Sequence, residues 1–256
     1  MPVRLPWLLL ALLLGAPPPA APQAPQTPTA DKGRQLVAEC IQAMGGQLYL
    51  QINQRSGEGR LYTFDSNGNM ANAGTHFWLY YRFPTDERLE LTKKRNVIFI
   101  YSGGKGWQIT FKGVEALSAH QLRSHADASA HSLDVILKQW AQAPDTLIFD
   151  QGLTQFQQEP VEAVQFTTAQ GQTATVDFSH FSHLPVRVVW RQTDPQTGGI
   201  LEQSVVYGDW SSIGGIETPF TIQRYEGPME VQQENFLNVS FAPFPDSVFT
   251  PTTRRH

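Results

Sequence analysis

The sequence predicts a mainly β protein with helices, an α+β chain whose strands lie in an antiparallel sheet. Three observations carry this. Residues 173–241 read as four strands in a row whose side chains alternate between two faces, as successive Cβ atoms leave opposite sides of a pleat. Residues 48–111 hold six shorter segments of the same kind, separated by turn residues. Only 31–44 and 117–143 show helical spacing. A sheet with one oily and one wet face must cover the oily one with a helix, a second sheet or a ligand.

The chain opens with Arg4, the one charge in its first thirty residues, followed by an apolar run over 5–16 and a small-residue, proline-rich stretch over 17–24. That order marks a secretory signal, expected to occupy 1–21. Its apolar run is shorter than the roughly twenty residues a bilayer span needs. The single cysteine, Cys40, lies too far downstream to be a lipid-attachment site, so a soluble exported protein is expected. Residues 22–30, rich in proline, glutamine and threonine, suit a flexible linker. One folded domain over 31–251 remains.

Within it, Leu36, Val37, Cys40, Ile41 and Met44 form one apolar stripe, and Gly45-Gly46 ends that first helix. Strands are expected over 48–54, 60–64, 75–83, 88–91, 97–101 and 107–111, with turns at Ser56-Gly57, Asn67-Gly68, Pro84-Thr85-Asp86 and Gly103-Gly104. Strands 75–83 and 97–101 are apolar on both faces. Two readings stay open: a central strand packed on both sides, or a concave face lining a hydrophobic cavity. The helical interlude has two halves. Residues 118–131 are polar and alanine-rich, expected to lie exposed as a loop or lid, with His120, His125 and His131 solvated. In the second half Ser132 is placed as an N-cap, and Leu133, Ile136, Leu137 and Trp140 share one stripe. Strands resume at 147, 161 and 173. The last one is expected to put Val231, Leu237, Val239 and Phe241 on one face, with Glu230, Gln232, Glu234, Asn238 and Ser240 on the other.

The formal net charge is −4, or −5 once Arg4 is removed, which argues against a nucleic-acid partner wanting a basic stripe. One cysteine permits no internal disulfide, and Cys40 reads as core. Chemical motifs are weak. His180 and His183, beside Asp177, could ligate zinc, but three residues apart on a strand they face opposite ways, and the junction looks like strand-turn-strand. Gly103-Gly104-Lys105-Gly106 lacks the context of a phosphate loop and reads as a hairpin turn. No nucleophile elbow occurs. No catalytic residue, metal or cofactor is therefore expected, and a zinc hydrolase using His180 and His183 ranks last among the functional readings.

Several strings, taken in order, resemble one family: Ala43-Met44-Gly45-Gly46, Gly57-Glu58-Gly59-Arg60, Tyr81-Arg82-Phe83-Pro84, Gly104-Lys105-Gly106-Trp107, and His183-Leu184-Pro185-Val186-Arg187. Tyr207-Gly208-Asp209-Trp210, Gly214-Gly215-Ile216-Glu217-Thr218-Pro219-Phe220, Asn238-Val239 and Val248-Phe249 complete the series. This order is similar to exported bacterial proteins related to outer-membrane lipoprotein-sorting carriers, the LolA/LolB-like fold. The resemblance implies a strongly curved antiparallel sheet, an incomplete β-barrel with helices plugging its concave face, and a hydrophobic cavity able to hold acyl chains. It also implies an arginine inside the cavity that helps gate it, for which Arg60, Arg82 and Arg88 are available. Phe77, Trp78, Leu79, Tyr81, Val97, Phe99 and Trp107 are the candidate wall residues, with Leu133, Leu137 and Trp140 from the plug. Only one face of a strand can look inward, so these cannot all line it.

The expected function is a periplasmic, non-enzymatic, monomeric binder of a hydrophobic small molecule, a lipid or an acylated protein, in transient contact with the envelope membrane or a partner protein. Secretion from the cell is the alternative location. A structural or interaction module of the same fold, its cavity filled by its own side chains, is the alternative function.

Overall fold

The computed structural model describes residues 30–193 and 198–252; the expected signal and all but the last residue of the expected linker lie outside them. The chain starts with helix α1 (Ala30–Ala43) and a single helical turn, α2 (Gln47–Gln51). Six strands follow: β1 (Gln54–Thr63), β2 (Thr75–Arg82), β3 (Asp86–Leu91), β4 (Val97–Ser102), β5 (Lys105–Thr110) and β6 (Gly113–Ala116). Helix α3 (Ala119–Ala130) and α4 (Leu133–Val135), which runs on into a π-helical turn at Ile136–Trp140, cross back over the sheet. Strands β7 (Leu147–Phe156), β8 (Glu159–Thr167), β9 (Thr173–Ser179), β10 (Pro185–Thr193), β11 (Ile200–Ile213), β12 (Ile216–Glu226) and β13 (Met229–Ser240) complete the sheet, and a 3-10 turn (Asp246–Phe249) closes the chain.

All 13 strands form one antiparallel sheet in the order β6-β5-β4-β3-β2-β1-β13-β12-β11-β10-β9-β8-β7. Every neighbour pair but one is a sequence hairpin. The exception, β1 with β13, joins the two meanders in the middle, and β6 and β7 remain as free edges of a curved, open sheet. The local chemistry supports this economy. Gly103 and Gly104 both take positive φ, 57° and 73°, the conformation a two-residue hairpin turn needs to match strand twist.

The helices cover the concave face. Leu36, Val37 and Cys40 of α1 and Leu133, Ile136, Leu137 and Trp140 of the second helical stretch are all buried. They pack with Phe77, Val164, Phe166, Val176, Phe178 and Val188 into the main core. Burial pushes the Cys40 thiol well up, so it stays protonated. A smaller core of Ile98, Ile100, Ile109 and Phe249 lies on the other side of β4 and β5, under the C-terminal turn.

Three sequence expectations are corrected. Residues 48–54 are not a strand: Leu50 N–H donates to Gly46 C=O at 3.2 Å and Ile52 N–H to Leu48 C=O at 3.2 Å, making one helical turn that sinks Tyr49 into the core. A short apolar run has no period of its own with which to choose between helix and strand. Within 118–131, Ala119–Ala130 form a regular helix, started by a Ser118–Gln121 capping box, though none of the helix's residues is buried.

The phase of β13 is also different. The pairing skips Val231 between Arg224↔Gln232 and Tyr225↔Glu230, and skips Leu237 between Gly59↔Phe236 and Glu58↔Asn238. Each skipped residue is a β-bulge that shifts the alternation by one. Gln232, Glu234 and Phe236 therefore share the concave face, which Val239 and Phe241 resume beyond the second bulge, while Leu237 is 63% exposed.

Candidate functional site

Between the concave face and the helices lies a cavity of about 340 Å³, at the small end of ligand pockets. Strand pairing decides what looks into it. Phe77↔Leu91, Leu79↔Leu89 and Tyr81↔Glu87 align β2 with β3, and Arg55↔Tyr81 and Gly57↔Leu79 align β1 with β2. Paired residues share a face. One wall is thus apolar, built from Leu61, Phe77, Leu79, Phe83, Leu89, Ile222 and Phe241, and roofed by Met44, Ile52 and Leu133.

The rest of the lining is polar. Arg55, Glu87, Asp134, Lys138, Arg224 and Glu234 all line the cavity, with Tyr49, Tyr207 and His125 among them. Lys138 Nζ lies 3.3 Å from Asp134 and donates to the Ile52 carbonyl at 2.8 Å. Tyr49 Oη donates to the Asp134 carboxylate at 2.9 Å. Arg224 pairs with Glu234 at 3.5 Å; its side chain is 39% accessible, yet that access opens onto the cavity. The buried Arg55 Nε–H has no hydrogen-bond acceptor among the described residues. Burial and the Asp134 charge push the Tyr49 hydroxyl up, and burial pushes Tyr207 up to about 12, so both stay neutral hydrogen-bonding groups.

Helix α3 closes one side, contributing His125, Ala128 and Ser129. It is held by few contacts. His125 stacks on Tyr101 with ring centroids 3.5 Å apart and faces Glu87 at 3.8 Å, and Asp127 accepts from Trp190 Nε1 at 3.1 Å.

No protein-family model and no curated protein matches this sequence. Solved structures do. A LolA superfamily protein from Nitrosomonas europaea aligns at 12% identity and TM-score 0.54, over 85% of this chain and 97% of that one. The fold is LolA-like. An outer membrane lipoprotein-sorting domain from Vibrio parahaemolyticus aligns at 10% identity and TM-score 0.57, over 87% of this chain and 97% of that one. A DUF1329 family protein from Desulfovibrio piger aligns at 13% identity and TM-score 0.57, over 86% and 96%.

In this LolA-like fold, Phe77, Leu79, Tyr81 and Leu133 of the expected wall residues line the cavity. Val97 and Phe99 pair with Leu91 and Leu89, so they share the concave face but lie outside the cavity. Trp78 is on the opposite face, stacked on His76 and under Arg95. Trp107, paired with Ile100, packs on the smaller core. Leu137 and Trp140 are in the main core.

The arginines differ from expectation. Arg60, Arg82 and Arg88 occupy even positions facing away from the cavity; Arg60 donates to the Gly74 carbonyl, Arg82 pairs with Asp86 and Asp246, and Arg88 with Glu90. The cavity arginines are Arg55 and Arg224, missed because an isolated charge on an alternating strand reads as its wet side. One signal was available: Ile222 and Arg224 are two apart, hence on one face.

Two histidines expected to be solvated are corrected, while His120 is exposed. His131 is buried, stacked on Trp190 with centroids 5.1 Å apart, and His125 is half-buried on Tyr101. His180 and His183 turn to separate partners, Glu162 at 3.0 Å and Glu39 at 3.5 Å. Among the described residues no three His, Cys, Asp or Glu side chains gather in a metal-binding group.

Two cavity carboxylates predict a pH response. Burial alone would raise Glu87 and Asp134. His125 with Arg224 and Arg55 outweighs it for Glu87, and Lys138, Arg55 and the Tyr49 hydroxyl outweigh it for Asp134, so both lie below their usual values. A depressed folded pKa contributes stability that is present above the unfolded value, about 4, and lost as pH falls through the folded one. Wild-type Tm is expected to drop through that acid range, and the Glu87→Gln/Asp134→Asn variant to show a flatter limb when both are melted across pH. Parallel limbs would contradict the assignment.

Proposed function

We propose that this protein is an exported, non-enzymatic carrier that shelters the acyl chain of a lipid or lipoprotein in the cavity, with the polar end of the ligand at the Arg55–Glu87–Arg224 wall. The observation that carries it is the cavity itself, an apolar lining with a charged cluster beside it, closed by a helix none of whose residues is buried. Burial supplies the affinity: at about 0.8 kcal/mol per CH₂, a chain of ordinary length offsets the cost of ordering it. The unpartnered Arg55 Nε–H suits an oxygen acceptor on the ligand. The similarity to a domain assigned to lipoprotein sorting supports an acylated cargo. Residues 1–21 serve as the export signal, 22–30 as a tether and 31–251 as the carrier domain, acting as a monomer in the periplasm. No helix among the described residues is long and apolar enough to cross a membrane.

The test is binding of a fluorescent fatty acid to delipidated protein. Leu89 is a half-buried cavity-lining residue at the edge of the main core, so the melting temperature of each variant is measured beside its binding. Leu89→Asp places a charge against the chain and is expected to weaken binding by about 100-fold, the cost of leaving a few methylenes beside a carboxylate. Leu89→Met should bind as wild type. A delipidated wild type that takes up no probe would favour the interaction module instead.

A further inference from the structure

The most exposed large apolar side chain among the described residues is Phe111, at the tip of the β5–β6 turn and 91% accessible. Lys112 follows it, its Nζ 5.9 Å from the Phe111 ring centroid, and Val114 beyond is also exposed. The neighbouring β3–β4 turn carries Lys93 and Lys94, both exposed and with no ion-pair partner among the described residues. Strand pairing brings these turns together. Leu91 pairs with Val97, Ile98 with Ile109 and Thr110 with Gly113, so both turns leave the same end of the sheet from strands about 4.8 Å apart. Arg95 is already engaged, 3.9 Å over Trp78 and 3.6 Å from Glu90. The opposing charges nearby are Glu115 on β6 and Asp65, whose carboxylate accepts the Asn67 and Asn69 N–H groups in the β1–β2 loop. Three lysines without an ion-pair partner among the described residues, around an exposed phenyl ring on a chain of net charge −4, are a local reversal of the protein's own sign.

We propose that these two turns dock the protein on an anionic lipid bilayer, Phe111 entering the interface and Lys93, Lys94 and Lys112 meeting lipid phosphates. Aromatic rings favour the headgroup region, and each lysine held near an anionic surface raises partition about fivefold. The concave face connects this end to the cavity. Leu89 lines the cavity, its partner Phe99 lies beside it, and the next rung toward the turns is Leu91 with Val97. These half-buried side chains make an apolar strip along which a chain can pass between bilayer and cavity. That passage rests on the carrier reading; the docking does not.

Co-sedimentation with vesicles tests it, using phosphatidylcholine alone against equal parts phosphatidylcholine and phosphatidylglycerol. Wild type should partition onto the anionic vesicles, less at high salt, and little onto the neutral ones. Phe111→Asp is expected to reduce partition about tenfold and Lys93→Glu/Lys94→Glu/Lys112→Glu to abolish it. Both variants should melt like wild type, because these side chains are exposed. Phe111→Trp should shift its emission to the blue on anionic vesicles only. Equal binding to both vesicle types, no binding, or unaffected variants would overturn the proposal. Fatty-acid uptake without vesicles is measured in parallel: retained uptake with no docking rejects the surface alone, and docking without uptake rejects the cavity reading alone.

Discussion

Arg187→Met is expected to cost about 3–5 kcal/mol at neutral pH, the range for stranding one member of a buried ion pair. Arg187 and Asp177 are cross-strand partners on the face away from the cavity. Arg187 Nε donates to Asp177 Oδ2 at 2.8 Å, a terminal nitrogen lies 2.7 Å from the same oxygen, and the guanidinium sits 4.3 Å from the Phe156 ring centroid. Asp177 is 1% exposed, and burial holds its carboxyl above the usual value even though the Arg187 charge and hydrogen bonds pull it down. Removing the arginine raises it further. A carboxylate whose folded pKa exceeds the unfolded one costs stability above the folded value and nothing below the unfolded value, about 3.9. The deficit of Arg187→Met, read from urea midpoints, should therefore shrink steadily as pH falls toward 4, and Asp177→Leu should restore most of it at neutral pH. A deficit independent of pH would show that the lost guanidinium packing, rather than the stranded charge, sets the cost.

The second large effect lies at the seam between the two meanders. A Cβ on Gly59 would stand 2.1 Å from the Asn235 carbonyl oxygen and 2.9 Å from Phe236 Cα, both backbone atoms of β13. Nothing flexible can yield there. The same point is where Leu237 bulges out of register. Gly59→Ala must push β1 from β13, the one pairing that joins the two meanders, and is expected to cost about 3 kcal/mol or more, beyond ordinary overpacking. Gly208→Ala is the control: its Cβ would meet only the Thr221 side chain, at 3.9 Å, and should change the denaturation midpoint little. Equal effects of the two substitutions would contradict the close approach.

Much of the architecture was readable in the chain. The stripe of Leu36, Val37 and Cys40, the stripe of Leu133, Ile136, Leu137 and Trp140, and the glycine turn at Gly103-Gly104 each follow from contacts within a few residues, and each is present. The LolA-like arrangement suggested by the ordered turn strings is also present. The concave wall was readable in part, since Phe77, Leu79 and Tyr81 alternate cleanly on one strand. Trp78, Val97, Phe99 and Trp107 are equally apolar and lie elsewhere. Apolar character says that a side chain is covered, and it does not say by what.

The polar wall was invisible for a complementary reason. Arg55, Glu87, Arg224 and Glu234 each sit on an alternating strand, where a charge ordinarily means solvent. Only the pairing of β1 with β2 and β2 with β3, and of β13 with β12 and β1 through one bulge each, turns them to the inside. Asp134 and Lys138 are four apart on a helix whose other side is buried, and the sheet beneath decides that they meet a cavity rather than water. The amino-acid sequence alone thus determined most of the strands and helices and most of the apolar faces, because period and turn chemistry act within a few residues. Register across the β1–β13 seam, the phase set by the bulges and the charged lining of the cavity were decided only in three dimensions, because a single skipped residue reverses every side chain beyond it.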